Sequence, residues 1–255
     1  MPILSEPPSS LRSRPPEGAP AGLGRPGARG VNLTLFDLDG TLLEIDSDHA
    51  FGEFLVRIGW ADGDEFRRRN DAFYADYQAG RLDQSAYLDF ATAPWRHRSE
   101  AASQSMRERF IAEVIHPVLR EQALALVRRH QAAGDQVAIV TATNEFITRP
   151  IADLFGVETL IALELELDSY GRATGRARGV PTYREGKVTR VQQWLESLRQ
   201  ARSDFERITC YGDSTNDLPL LEWVTHPVAT NPGPALEAIA LQRGWPILRL
   251  FSKVP

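Results

Sequence analysis

Residues 31–41 read VNLTLFDLDGT, and the reading of this stretch decides the fold. Val31 to Phe36 is a short apolar run rich in strand formers, stopping at Asp37, Leu38, Asp39, Gly40 and Thr41. Such a run bounded by Asp and Gly predicts a buried strand. In extended chain, side chains two apart point to the same side, so both carboxylates are aimed at one spot. Two carboxylates ~4 Å apart repel by roughly 4 kcal/mol at an effective dielectric near 20. A proton on one of them, or a nearby cation, must offset that. Asp-x-Asp-Gly also suits an ordinary turn, so the pair needs support from the rest of the chain.

After this strand the pattern turns helical. Phe51, Phe54, Leu55 and Ile58 repeat at one helix face. Phe66, Asn70, Phe73, Tyr74 and Tyr77 share another, with Gly80 as its stop. Asp83 caps a third helix through Phe90, Pro94 breaks the pattern, and Met106, Phe110, Ile111 and Val114 make a fourth. Residues 47–116 therefore read as an all-helical insert.

Beyond it the chain alternates. Helices are predicted over Pro117–Ala133, Glu145–Phe155 (with a kink at Pro150), Lys187–Leu198, Leu218–Val224 and Pro234–Gln242. Strands are predicted over Gln136–Val140, one or two within Thr159–Leu167, then Arg207–Tyr211 and Pro227–Ala229, with a turn at Tyr170-Gly171. Strand–helix alternation predicts an α/β fold, a mostly parallel sheet with helices on both faces. The expected organisation is a core of residues 31–46 and 117–255, with residues 47–116 as a helical second domain.

Composition narrows the function. The 255 residues carry a net charge of −5 with both signs dispersed, so no basic footprint for nucleic acid is apparent. The apolar runs are too short to span a membrane. The single cysteine, Cys210, allows no internal disulfide, which fits a cytoplasmic location. The five histidines form no ligand pair, so zinc is not expected. Residues 1–30 hold seven of the 17 prolines and five of the 19 glycines and are expected to be disordered. They have no apolar core of the kind a secretory signal carries. The Gly22–Gly27 pattern matches a dinucleotide fingerprint, but Pro-rich coil precedes it and a strand follows, the wrong context.

In sheets of this kind ligands bind at the carboxyl ends of the strands. That rule selects Asp37, Asp39, Thr141, Asp213 and Asp217. Three or four converging carboxylates without histidine or cysteine predict a hard, oxygen-ligated cation, most naturally Mg²⁺. One carboxylate can then attack phosphorus, and the second can move the proton. A lysine and a threonine hydroxyl, with backbone N–H groups, hold the phosphoryl oxygens. Each residue also has a bland alternative: Asp217 as a helix cap, Lys187 as a solvated helix-start lysine. Their joint placement at strand ends favours the site.

The same residues carry a resemblance covering nearly all of residues 31–250. FDLDGT, VAIVTAT, the Lys187 of REGKV and YGDSTNDLPLL follow one another as the four motifs of the haloacid dehalogenase-like superfamily. The resemblance implies a Rossmann-like sheet with an inserted cap and a Mg²⁺-dependent phosphomonoesterase acting through an aspartyl phosphate. It implies Asp37 as nucleophile and metal ligand, and Asp39 as general acid/base lending its carbonyl to the metal. Asp213 would be a metal ligand and Asp217 a support for the metal shell. Lys187 would steady nucleophile and phosphate, with Thr141, Ala142 and Asn216 in the phosphate- and substrate-binding set.

The helical insert resembles the phosphoserine phosphatase-like branch, in which an acidic residue nine positions after the nucleophile meets a substrate ammonium; here it is Asp46. Thr141-Ala142-Thr143-Asn144 departs from the Ser-Gly-Gly-Phe of phosphoserine phosphatases. Histidinol phosphate is therefore an equal candidate, among small phosphorylated metabolites. A carboxylate-binding arginine, if present, would be Arg57, Arg67, Arg81 or Arg96. Transfer to an acceptor other than water and non-catalytic binding of a phosphometabolite are the alternatives, and the oligomeric state is not legible.

Overall fold

The computed structural model describes residues 31–251. The expected disordered tail, residues 1–30 with its Gly22–Gly27 pattern, lies outside the described residues. In chain order, β1 (Val31–Phe36) is followed by α1 (Ser47–Arg57), α2 (Gly63–Gln78), α3 (Gln84–Thr92) and α4 (Glu100–Phe110). Next come α5 (Glu121–Ala132), β2 (Gln136–Asn144), α6 (Glu145–Leu154), β3 (Thr159–Leu163), β4 (Leu165–Leu167) and β5 (Ala173–Ala177). Then follow α7 (Glu185–Ser197), β6 (Phe205–Gly212), α8 (Leu218–Trp223), β7 (His226–Thr230), α9 (Pro234–Arg243) and β8 (Ile247–Leu248).

Six strands form one parallel sheet in the order β3-β2-β1-β6-β7-β8, the α/β architecture expected. Alternation along β1 divides the core. Leu33 and Leu35 join Ala138, Val140, Ile208 and Cys210 on one face, with residues of α7, α8 and α9. Phe36 joins Ile139 and Tyr211 on the other, with residues of α5 and α6. Burial of both faces is why these strands read as continuous apolar runs. Cys210 is core packing, as its place in a strand suggests.

Three of the four insert helices begin at capping side chains. Asp46 accepts from His49 N at α1, Asp83 from Ala86 N at α3, and Ser99 from Ala102 N at α4. Phe51, Phe54, Leu55 and Phe110 of α1 and α4 pack into the same apolar cluster as Phe36 and Ile139. A small separate cluster of Val56, Phe66 and Phe90 holds α1, α2 and α3 together. Trp95 stacks on Phe146 of α6 at 4.3 Å between ring centroids.

Several boundaries differ from the sequence reading. The helix expected from Pro117 starts at Glu121. A π-turn over Ile111–Ile115 and a 3₁₀ turn over His116–Val118 precede it, and Leu119 is extended. Pro117 has no N–H for a longer helix and occupies the 3₁₀ turn instead. The strand expected to end at Val140 stays extended to Asn144, because Leu163 re-pairs with Asn144 after a register shift. Pro150 lies inside α6 and cannot donate to the Phe146 carbonyl; Arg107 of α4 donates there instead, at 3.2 Å. The β5 strand was not foreseen. Ala173–Ala177 lacks strand formers, and it is ordered by pairing with β4 and by packing on α3. Gly175 (φ +88°) allows this approach, since a Cβ there would lie 2.2 Å from Arg96 Nη1.

A polar network ties β1 to α5. Asp135 accepts from Thr34 Oγ1 (3.0 Å) and Asn32 Nδ2 (3.1 Å), and lies 2.6 Å from His130 Nδ1. His130 Nε2 lies 2.8 Å from the Tyr211 hydroxyl. Burial alone would raise the Asp135 pKa, but the hydrogen bonds from His130, Asn32 and Thr34 outweigh it and hold the carboxyl below its ordinary value. Asp135→Ala is expected to cost about 1–3 kcal/mol in urea unfolding at pH 7, because it strands these partners. A depressed carboxyl pKa stabilises only above the unfolded-state value, about 4. The gap between wild type and variant should therefore close as pH falls through the folded-state value.

Candidate active site

The sheet register sets the geometry. Phe36 pairs with Ile139 on β2 and with Tyr211 on β6, so Asp37, Thr141 and Asp213 all leave the sheet within two residues of one line. Asp37 N donates to the Tyr211 carbonyl (2.9 Å), which fixes the exit of the chain from β1. Lys187, in the first turn of α7, reaches into this crossing fully buried. Its Nζ donates to Asp37 Oδ1 (2.6 Å) and Asp217 Oδ1 (2.5 Å). The surface-lysine alternative is thereby removed.

Burial, together with the charge of Asp217, pushes the Asp37 carboxyl up to about 7 against the pull of Lys187. Burial, then Asp217 and Asp37, raises Asp213 well above the carboxylate range. Burial opposes the charge of Lys187, but Asp217 and Asp37 outweigh it and raise its pKa. The excess negative charge is what a cation would relieve.

The donor set fits a hard cation. Oxygens of Asp37, Asp213 and Asp217 lie within 4.8 Å of one another, and no histidine or cysteine joins them. Asp217 has one oxygen on Lys187 and the other on Ser214 N and Oγ, so it braces the loop. No side chain among the described residues donates to Asp213. The Asp213 carboxylate lies so close to Gly40 (φ +77°) that a Cβ there would approach Oδ2 to 2.3 Å. Asn231, not foreseen, steadies this turn by donating to the carbonyls of Gly40 (2.9 Å) and Thr41 (3.2 Å). Its only sequence signal is a turn-forming Asn-Pro.

Asp39 stands apart from the carboxylate cluster. Its Oδ1 accepts from Ser47 N (2.8 Å), the first residue of α1, and its Oδ2 from Thr143 Oγ1 (2.8 Å). Burial, and secondarily Asp46, raises its carboxyl to about 7. Ser47 and Thr143 were missed as contacts of the proton-transfer candidate, since each depends on another element's placement. Thr141 is buried, and its Oγ1 accepts from Thr143 N (3.2 Å), leaving its own proton for a ligand.

Between the insert and the sheet lies a cavity bounded by Asp46, Asp48, Asn70, Tyr87, Ala142 and Thr143. Phe73, expected as cap core, packs on Tyr87 and Phe90 and also lines this cavity, as does His49. Among the described residues, no lysine or arginine lines it. The four candidate arginines are paired elsewhere: Arg57 with Glu113, Arg67 with Glu53, Arg81 with Asp76, and Arg96 with Asp89. Asn216 and Arg184 reach the other way. Asn216 Nδ2 donates to the Tyr77 carbonyl and Arg184 Nη1 to the Gly80 carbonyl, both 2.9 Å. They hold the C-terminal end of α2 to the loops that carry Asp217 and Lys187.

Comparison with known proteins follows the same lines. A family model described as haloacid dehalogenase-like hydrolase matches residues 34–222. A histidinol-phosphatase of Neisseria meningitidis serogroup C (strain 8013) is 43% identical over 217 residues, covering 85% of this chain and 98% of the relative. A crystal structure of a protein of unknown function from Bordetella pertussis Tohama I is 48% identical, with a TM-score of 0.82, covering 87% of this chain and 100% of that one. A phospho-aspartyl intermediate analogue of phosphoserine phosphatase shares the fold at 16% identity, with a TM-score of 0.62, covering 88% of this chain and 95% of that one.

The raised carboxyls set a pH dependence. A carboxyl held above its unfolded-state value destabilises the folded chain once it ionises, so metal-free stability should fall as pH rises from about 4 through 7. Mg²⁺ should raise the melting temperature more at pH 8 than at pH 5. Asp213→Asn should raise the metal-free melting temperature by about 2–4 °C, corresponding to about 1 kcal/mol, and abolish the Mg²⁺ response. Thermal melts with and without chelator check both.

Proposed function

The chain belongs to the haloacid dehalogenase-like hydrolase family, and from that premise we propose that it is a Mg²⁺-dependent phosphomonoesterase for a small amino-alcohol phosphate, histidinol phosphate first among them. The observation that carries this is the junction of Asp37, Lys187, Asp213 and Asp217 beside a cavity with acidic and aromatic walls and no cation. The choice against phosphoserine rests on the same cavity: a substrate carboxylate would face Asp46 and Asp48 with no arginine or lysine beside it.

In this reading Asp37 attacks phosphorus, the ester P–O bond breaks, and the leaving alkoxide takes the proton of Asp39. Asp39 then removes a proton from water, whose oxygen attacks the aspartyl phosphate, breaking the Asp37–phosphorus bond and releasing phosphate. A carboxyl near 7 can give and retake a proton at neutral pH. Lys187 holds one Asp37 oxygen, leaving the other without a protein donor among the described residues. Thr141, with the backbone around Ala142, is placed to receive phosphoryl oxygens. Asp37, Asp213 and the Asp39 carbonyl would hold the magnesium ion, which supplies positive charge to the phosphoryl group.

Residues 47–116 would act as a cap. The cavity has room for about 40 Å³, enough for two or three waters, whereas the cleft along Asp39, Asp46 and Asp213 has about 410 Å³; cap movement would open the first to the second. Hinges are proposed at 44–47 and 116–119, where extended Asp46 and Leu119 flank the helices. Asp46 caps α1 with one oxygen and is the proposed partner of the substrate ammonium.

Phosphate release should be at least about tenfold faster from histidinol phosphate than from phosphoserine under matched Mg²⁺. Asp37→Asn should lower turnover by more than about 10³-fold. Preference for phosphoserine would overturn the substrate choice, and undiminished turnover in Asp37→Asn would overturn the mechanism. Product analysis with added alcohols distinguishes transfer from hydrolysis.

A further inference from the structure

Asp48 has no part in the mechanism above, yet it lines the same cavity as Asp46. It is the second residue of α1. An acid in a first turn normally faces water and complements the helix dipole, a contribution of about 0.3–1 kcal/mol. Helix capping does not require it here, because Asp46 already accepts from His49 N. Asp48 instead turns inward, toward the Tyr87 hydroxyl, and beside Leu82 and Leu88. Burial raises its carboxyl to about 7. Desolvating a carboxylate costs more than the dipole returns, so the position is eased by a proton or by a partner that arrives with the ligand.

The cavity wall indicates what that partner is. No lysine or arginine reaches Asp48 from the elements around it. The titratable groups lining the cavity are Asp46, His49, Tyr74, Tyr77 and Tyr87, and His49 Nε2 is already on Asp71 at 2.8 Å. Asn70, 3% exposed, lines the same cavity. Its amide donates to the His49 carbonyl, and its side-chain oxygen has no donor among the described residues. The two carboxylates and the Asn70 oxygen thus face the cavity without a lysine or arginine among the lining residues, and Phe73, Tyr74 and Tyr87 present aromatic surface beside them. Such a pocket suits a flat ring bearing N–H groups or positive charge.

We propose that Asp48 is a specificity-determining residue that receives a second, ring-borne N–H or cationic nitrogen of the substrate, while Asp46 receives its ammonium. This rests on the phosphomonoesterase reading and deepens it: the substrate class is an amino-alcohol phosphate carrying a nitrogen heterocycle. Tyr87, which faces the Asp48 carboxylate, is assigned to positioning it.

Steady-state kinetics on three probes test it: histidinol phosphate, phenylalaninol phosphate (an ammonium and a ring without nitrogen) and ethanolamine phosphate (an ammonium alone). Asp48→Asn should raise KM for histidinol phosphate about 10- to 100-fold, the size of a charged hydrogen bond, with kcat within about threefold. Its preference for histidinol phosphate over phenylalaninol phosphate, as a ratio of kcat/KM, should fall at least about tenfold. Asp46→Asn should lower kcat/KM on all three probes and leave that ratio within about threefold. Tyr87→Phe should shift the ratio in the same direction as Asp48→Asn by a smaller amount, and it supplies the answer where Asp48→Asn does not fold. An unchanged ratio in these variants, with wild-type turnover of histidinol phosphate intact, overturns the role of Asp48 alone. Absence of wild-type turnover on all three probes overturns the substrate reading and this inference with it.

Discussion

Lys187 lies between Asp37 and Asp217 with no exposed surface, and the rest of the site is arranged around that ammonium. An unpaired buried lysine would lose its proton; with two carboxylates in hydrogen-bond contact its charge is secured. Three carboxylates around one ammonium still leave an excess of negative charge, which a proton or a cation would relieve. Delivering the lysine constrains the chain before α7. Arg184 takes a left-handed φ of 51°, and a Cβ on Gly186 would stand 1.9 Å from the Pro181 carbonyl oxygen. Strain of this kind persists only where surroundings over-determine it, and here the ion pairs at Lys187 supply that determination.

The insert is bound to the same residues. Ser47 N, at the start of α1, donates to Asp39, so the orientation of the proposed proton donor depends on where α1 begins. At the far end of α2, Asn216 and Arg184 take the carbonyls of Tyr77 and Gly80. Each of these three bonds joins an insert helix to a loop carrying a proposed catalytic group. A displacement of the insert would therefore disturb Asp39 and the loops of Lys187 and Asp217 together. That is a physical route by which cap position and chemistry can be coupled in this phosphatase.

What was legible in the sequence was local. The run Val31–Phe36, the aspartates after it, Thr141 at the end of the apolar run of β2 and Asp213 after β6 could be found because burial on both faces writes strands as apolar runs and the sheet places ligands at their ends. The insert helices were legible from periodicity and from caps such as Asp83. The parts missed depend on contacts distant in sequence. β5 is ordered by β4 and α3, Asn231 reaches Gly40 across 191 positions, and Thr143 reaches Asp39 across 104. Asn216 shows the reverse case. Its motif position suggested a phosphate contact, and its amide is engaged with the insert. Spacing identifies which loop a residue is on; the direction of its side chain follows from what packs above that loop.

The same distinction bears on specificity. The phosphate-handling residues could be read from motifs because every phosphomonoester presents the same group to them. The head group of the substrate varies, and the residues proposed to meet it lie at α1, α2 and α3, whose relative placement no single stretch encodes. Here the decisive property is an absence among the residues lining the cavity: two carboxylates and several aromatic rings, with no lysine or arginine. Opposing like charges in a desolvated cavity costs several kcal/mol, so in the proposed reading a substrate carboxylate would be rejected without any residue devoted to rejecting it. Discrimination would then follow from a difference between two interactions: repulsion of an acid at the cavity wall, and attraction of nitrogen at the same two oxygen-rich positions.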